Sequence, residues 1–381
     1  MSLSVKPLAS AIALCASVTT AISQPAGGPP GEGGPEADPR QGDTSTLMST
    51  VQIPDVVAEC DAVEDYARLL CLTDVLIASI DDEELLENLQ YDYSVEEAQN
   101  WSNLPAGAFP DRPGVFLGEF SLEQRGIVKA IMMQATSGTD NEGFDEMVQT
   151  LNADDYIGTI STDYKAGYSS FNTKFAFLGT PAETGTWQLY YGGHHLAFTN
   201  TYTDGALAGA TPSFRGVEPF PRFYMNGREN IPLMQEREAF AALLRSLDDD
   251  QKAAALLEGT YHDILAGPQT DDGILDVQEG LAVTELSSEQ VALLLAAIET
   301  YVGDLNAVDA ATFMEKYAAE LDETVLGYSG TTEVNTTDDY VRIHGPSLWL
   351  EFSLQTIKST GEVGDHPHSV WRDITSDYGG N

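Results

Sequence analysis

Apolar residues recur along this chain with two different periods, and the change of period marks its organisation. From residue 53 to about 99 the groupings are helical. Val56, Val57, Leu69, Leu70, Val75, Leu76 and Ile77 fall at helical spacing, and Ser94-Val95-Glu96-Glu97 has the form of a capping box. Residues 120–124, 247–251 and 286–290 share one design. Each places an apolar residue, a Ser or Asp cap and, three residues after the cap, a Gln ahead of an apolar run. Cap oxygen and Gln side chain together satisfy backbone groups left free at a helix start, so the pattern predicts three helices beginning there.

Between residues 171 and 210 the period becomes two. Residues 171–178 read as a strand, Trp187, Leu189 and Tyr191 alternate with Gln188 and Tyr190, and a second arm runs from His194 to Thr203. Asp204-Gly205 is a hairpin signal. A Pro-rich loop follows, and helices are expected to dominate residues 235–321, with His262 on one of them. The end returns to strands at 324–328, 339–344 and 347–355. In the last of these Leu348, Leu350, Phe352 and Leu354 face one way while Trp349, Glu351 and Ser353 face the other. Strands flanked by helical blocks predict an α+β fold: an antiparallel sheet in a single main domain over 101–381, preceded by a helical segment over 47–100.

Charge narrows the partners. With 18 Lys+Arg against 60 Asp+Glu the formal net charge is −42. Nucleic acid needs a basic surface to neutralise phosphate, so it is excluded as an expected partner, and an anionic lipid surface is disfavoured for the same reason. Residues 1–23 read as a secretory signal peptide: one charge, Lys6, then an apolar stretch from Leu8 to Val18 and small residues suited to cleavage. The stretch is too short to span a bilayer, so membrane insertion is not expected and a secreted or periplasmic location is. Cys15 follows Leu14, which does not suit a lipoprotein cleavage site. Residues 24–46, rich in Gly and Pro, read as a disordered linker.

Export leaves Cys60 and Cys71, an even pair that suggests one disulfide. A continuous helix would hold them about 16 Å apart, so a bridge requires a turn between them; two buried thiols are the alternative.

The candidate chemistry lies in the histidines. Four of the six sit in two short clusters, Gly192-Gly193-His194-His195 and His366-Pro367-His368. Pro367 favours an extended chain at His366, which points both rings of His366 and His368 to one side, where they can share an ion. Adjacent residues on a strand face opposite sides, so one of His194 and His195 joins them unless Gly192-Gly193 supplies a bulge. His195 is favoured, with His194 as supporting or alternative ligand. Three imidazoles leave a coordination position open for water or substrate, as in catalytic metal sites. A metal-free pocket is the alternative, with histidines as acid/base groups and Arg372 clamping an anion. Glu351 and Asp373 are the candidate bases. His344, at a strand end, is a further candidate for the site.

At these residues the chain resembles an uncharacterised, largely bacterial family, the domain-of-unknown-function family 3500. The segments that carry the resemblance are Arg112-Pro113-Gly114-Val115 with 120–124, Phe177-Leu178-Gly179-Thr180-Pro181, 187–196 with Gly-Gly-His-His-Leu, and Thr211-Pro212-Ser213-Phe214 with Gly216 and Pro219. They continue with 236–251, Val341-Arg342-Ile343 with Gly345-Pro346, and His366-Pro367-His368 through Trp371-Arg372-Asp373 to Asp377-Tyr378-Gly379. The resemblance spans about 100–381 and implies that these segments share one domain. It implies no activity, and it places an acidic residue where His344 stands.

From the residues, the expectation is an exported, acidic, metal-dependent enzyme. Its divalent ion, zinc favoured with copper or iron as alternatives, is held by His195, His366 and His368, supported by His194, Arg372 and Asp373. Hydrolysis of a small-molecule or polymer substrate through metal-activated water is the favoured chemistry. A non-catalytic extracytoplasmic protein that binds a metal or small ligand is the main rival.

Overall fold

The computed structural model describes Met48, residues 50–356 and residues 365–380. The expected signal peptide, Cys15 and the linker over 24–46 lie outside the described residues.

Alternation in the strands builds a sheet with two unlike faces. Its strands are β1 (Gln90–Tyr91), β2 (Val115–Phe116), β3 (Lys174–Leu178), β4 (Thr186–Gly193), β5 (Leu196–Thr203), β6 (Ala206–Gly209) and β7 (Ser213–Gly216). A small separate hairpin pairs β8 (Phe223–Met225) with β9 (Arg228–Asn230). The main sheet resumes with β10 (Leu281–Ala282), β11 (Val325–Ser329), β12 (Tyr340–His344), β13 (Leu348–Thr356) and β14 (Asp365–Asp373). Its order is β1-β3-β4-β5-β7-β14-β13-β12-β11-β10, with β2 beside β3 and β6 beside β5. Every pairing is antiparallel except β1 with β3, so the expected antiparallel sheet is a mixed one with a single parallel pair at one edge.

Helices α1 (Asp65–Ala78), α2 (Glu83–Leu89), α3 (Val95–Ala98), α4 (Leu122–Ala135), α5 (Gly143–Ile160), α6 (Met234–Ser246), α7 (Asp249–Ala255), α8 (Ser288–Val302) and α9 (Ala307–Ala319) complete the α+β fold. The helices α1, α4 and α5 pack on Phe175, Phe177, Leu189 and Phe198, while α6, α8 and α9 pack on Ile343, Leu350, Phe352 and Trp371. These residues form one apolar face. The other face carries Ala176, Tyr190, Phe214 and Val370 under α3, Trp101 and Ile264. Leu348, Leu350, Phe352 and Leu354 fall in the helix-covered core, as their alternation requires.

All three Ser/Asp-x-x-Gln segments are capping boxes, at Ser121, Asp248 and Ser287. Two of them are joined: the Gln251 and Gln290 amides bond each other, and Gln290 also donates to Ser246 O. At Ser94 the side chain accepts from Glu97 N.

Cys60 and Cys71 are bridged, with their Cα atoms 5.6 Å apart. A 3-10 helix, Asp55–Ala62, ends after Cys60, and α1 begins at Asp65, which supplies the turn. The first helices are not a separate body, since Cys60, Leu69, Leu72 and Leu76 enter the same apolar cluster as β3, β4 and β5.

One long stretch departs from expectation. Residues 256–287 are mostly turns and loop rather than helix. Gly259, Gly267, Pro268, Gly273 and Gly280 interrupt them, and Gly259 and Gly280 adopt positive φ. His262 therefore lies in a loop, exposed, with its Nδ1 2.8 Å from Asp338.

Candidate metal centre

The β4–β5 hairpin closes in two residues, His194 and His195, between the paired Gly193 and Leu196. This is a tight turn, not the bulge that the glycines suggested. His195 takes φ +58°, a left-handed conformation that costs a non-glycine residue about 1–2 kcal/mol. Its backbone is held there from two sides: His195 N donates to Asn103 O at 3.1 Å, and Gly216 N donates to His195 O at 2.8 Å. The turn places the His195 ring on the loop-covered face of the sheet.

Next to it β14 runs antiparallel to β7, with His368 opposite Gly216. His366 and His368, two residues apart, share that face. The absence of a side chain at Gly216 is what admits the rings. A Cβ there would lie 2.9 Å from Cδ2 of both His195 and His368. Each of His195, His366 and His368 offers a ring nitrogen within 4.8 Å of those of the other two, and all three residues are buried. Three buried histidines thus form a group that could hold a metal ion.

The two Nε2 atoms of His195 and His366 are 2.9 Å apart. Two imidazoles on one tetrahedral zinc, with bonds of 2.0–2.1 Å, have nitrogens about 3.4 Å apart, so a shift of about half an ångström gives ligand spacing. The His368 ring is oriented from behind, its Nδ1 2.9 Å from the Asp263 carboxylate and 2.7 Å from the Gln355 amide. That leaves His368 Nε2 buried and without a hydrogen-bond partner among the described residues. A carboxylate behind the far nitrogen of a histidine is the usual support of a metal ligand. Burial works to raise the Asp263 carboxyl, but the interaction with His368, with further hydrogen bonds from Ile264 N and Gln355, holds the group below its usual range. Burial, then the rings of His194, His366 and His368, push the His195 imidazole well below 6.5, so it is neutral and has a lone pair to offer.

The other candidates stand elsewhere. His194 is outside the triad; its Nδ1 bonds Asp154 on α5, and its ring lies against that of His195. Glu351 is corrected as a base. It is fully buried and its carboxylate accepts from Leu265 N, Ala266 N, Tyr340 Oη and Trp349 Nε1, at 2.6–2.9 Å, so it pins the loop that carries Asp263. Arg372 is corrected as an anion clamp. It donates to Asp271, Asp377 and Ala266 O, and it lies about 13 Å along β14 from His368 at 3.3 Å per residue. Asp373 is corrected because odd-numbered residues of β14 face the helices: its carboxylate bonds Lys316 and Tyr317 on α9. His344 likewise misses the triad. It stands opposite Trp349, with its imidazole lowered to about 4 by burial and then by Arg342.

Asp263, Gln355, Asp154 and Gly216 were missed as parts of the site. Asp263 sits in a loop read as helix and Asp154 in the middle of a helix. Gly216 did carry a signal, because a glycine inside a strand often marks a close approach.

The model of the family described as "Protein of unknown function (DUF3500)" matches residues 63–380, and the chain belongs to this family. The match begins well before residue 100 and includes Cys71 but not Cys60. No curated protein and no solved structure matches the chain. No helix among the described residues is long and apolar enough to cross a membrane.

Proposed function

We propose that this protein is an exported, metal-dependent hydrolase whose ion is held by His195, His366 and His368. The observation that carries this reading is the convergence of three buried imidazoles from two distant segments, one of them backed by a carboxylate. Among the described residues three imidazoles meet, a donor set that suits zinc, copper and iron alike; zinc is taken first because three histidines with one open position is an arrangement of catalytic zinc sites. Three protein ligands leave one position for water or substrate. A bound zinc ion polarises a carbonyl or phosphoryl oxygen and makes water acidic enough to attack near neutral pH. The chain's own contribution is to fix the rings, keep His195 neutral and limit access of bulk water. The substrate is a small molecule or an accessible end or loop of a polymer.

One observation favours a second reading. Glu351 and Asp373 are both engaged elsewhere, so neither supplies a general base. On that reading the chain is an extracytoplasmic protein that binds a metal or small ligand without turnover.

Elemental analysis of the chain purified without a His-tag tests the metal. One equivalent of zinc is expected, lost in a His366→Ala/His368→Ala double variant that keeps the wild-type circular dichroism. Copper or iron in its place would turn the reading to redox chemistry, and no metal would end it. Zinc-loaded protein inert towards chromogenic esters, phosphoesters and peptides would favour the binding role.

A further inference from the structure

His368 and His195 are held differently. His368 has a carboxylate behind its far nitrogen. His195 has none: its Nδ1 is buried and finds no hydrogen-bond partner among the described residues. An imidazole joined to the backbone by two rotatable bonds needs something to fix its plane. Of the rings packed around it, that of the preceding residue has the closest centroid. His194 and His195 stack with centroids 3.7 Å apart and planes inclined by 27°.

His194 is itself locked. Its Nδ1 bonds the Asp154 carboxylate, and Tyr168 packs on it with ring centroids 5.1 Å apart. Asp154 is buried on α5, a helix of 18 residues whose Asp155 accepts from Ser170 N at 2.8 Å and from Asn226 Nδ2 at 2.9 Å. The turn is therefore tied to a rigid helix through one side chain. A stacked ring presents its face, not its lone pairs, to its neighbour. His194 is thus poorly placed to be a fourth ligand and well placed to hold the third.

We propose that Asp154 and His194 are positioning residues for the metal centre. Asp154 holds the His194 ring, and the face of that ring sets the plane of His195 within the triad. Supporting interactions of this kind typically change metal affinity by about 10- to 100-fold. This role rests on the metal reading above, and the experiment separates the two.

The full-length chain and its His194→Ala, His194→Phe and Asp154→Asn variants are titrated with zinc against a chelator. They are also titrated with cobalt(II), whose visible absorption reports coordination geometry. Thermal unfolding of the metal-free proteins serves as the fold control. His194→Ala should weaken zinc binding about 10- to 100-fold and alter the cobalt spectrum, with its metal-free unfolding still cooperative. His194→Phe keeps a flat ring without the hydrogen bond and should recover part of the loss, the remainder being the share of the Asp154 bond. Asp154→Asn should fall between. Wild-type affinity and spectrum in His194→Ala overturn the role while the metal site stands, as does a Phe variant no better than Ala. A wild-type chain that takes up neither ion overturns the metal reading and this role together.

Discussion

Two buried polar clusters lie back to back across β7, and they are built on opposite principles. Gly216 faces the loops and lets the histidines meet. Its neighbour Arg215 faces the helices, where its guanidinium contacts Glu146, Asp304 at 2.6 Å and Glu236 at 3.4 Å, with Glu142 close by. Opposite charges meet on the helical side, and backbone groups help to satisfy them: Leu233 N donates to Glu146 and Gly143 N to Asp304, both at 2.7 Å. That cluster joins α5, α6 and the end of α8 to the sheet and has no evident need of a ligand. On the loop side like groups converge, all of them nitrogen donors. A buried set of identical donors gains little from its own members and much from a cation. Burial and polarity are common to both clusters; the complementarity within each separates a structural lock from a candidate site.

The largest effect should come from breaking the lock. Arg215→Met leaves three contacting carboxylates without their counter-charge, and loss of one partner from a buried ion pair costs about 3–5 kcal/mol. Urea unfolding measures it; a loss below about 1 kcal/mol would deny the cluster its structural role. Gly216→Ala should act on the other side. Its methyl group meets two rings at 2.9 Å, and overpacking of this kind costs about 1–3 kcal/mol. It should also abolish zinc uptake, so a variant with full zinc content would show that the rings do not need this space.

The smallest effect is on pH dependence. Burial, then the charges of Asp304 and Glu236, raise the Glu142 carboxyl from 4.5 to about 8, and burial raises Glu236 in the same sense. A group with a raised folded pKa binds more protons folded than unfolded. Its contribution is complete below pH 4.5 and is lost as pH rises through about 8. Stability should therefore fall between pH 5 and 9, and Glu142→Gln should flatten that fall. An unchanged slope in the variant would assign it to other groups.

Much of the frame was legible in the sequence. The three Gln-containing boxes mark helix starts because a cap is a local arrangement, complete within four residues. The alternation in β13 separates the two faces because side-chain direction in a strand has period two. The stretch over 256–287 misled, since scattered apolar residues there resemble helical spacing while its glycines and Pro268 prevent the helix. Its misreading hid Asp263. Arg372, Asp373 and Glu351 were chosen for nearness in sequence or for facing the same side. Arg372 failed because four residues of strand cover about 13 Å, Asp373 because one residue reverses the face, and Glu351, on the right face, because four hydrogen bonds occupy its carboxylate.

The sequence by itself determined where three of the helices start, which runs alternate as strands, which sides of those strands are apolar and which residue types are able to bind a metal. These follow from local propensity and periodicity. Only the tertiary structure decided which of those residues meet. Register between β14 and β7 sets His368 over Gly216, a two-residue turn carries His195 to the same point, and Glu351 anchors the loop that brings Asp263 behind His368. These contacts of His368 and Glu351 join positions 85 or more residues apart, and no short-range pattern encodes them.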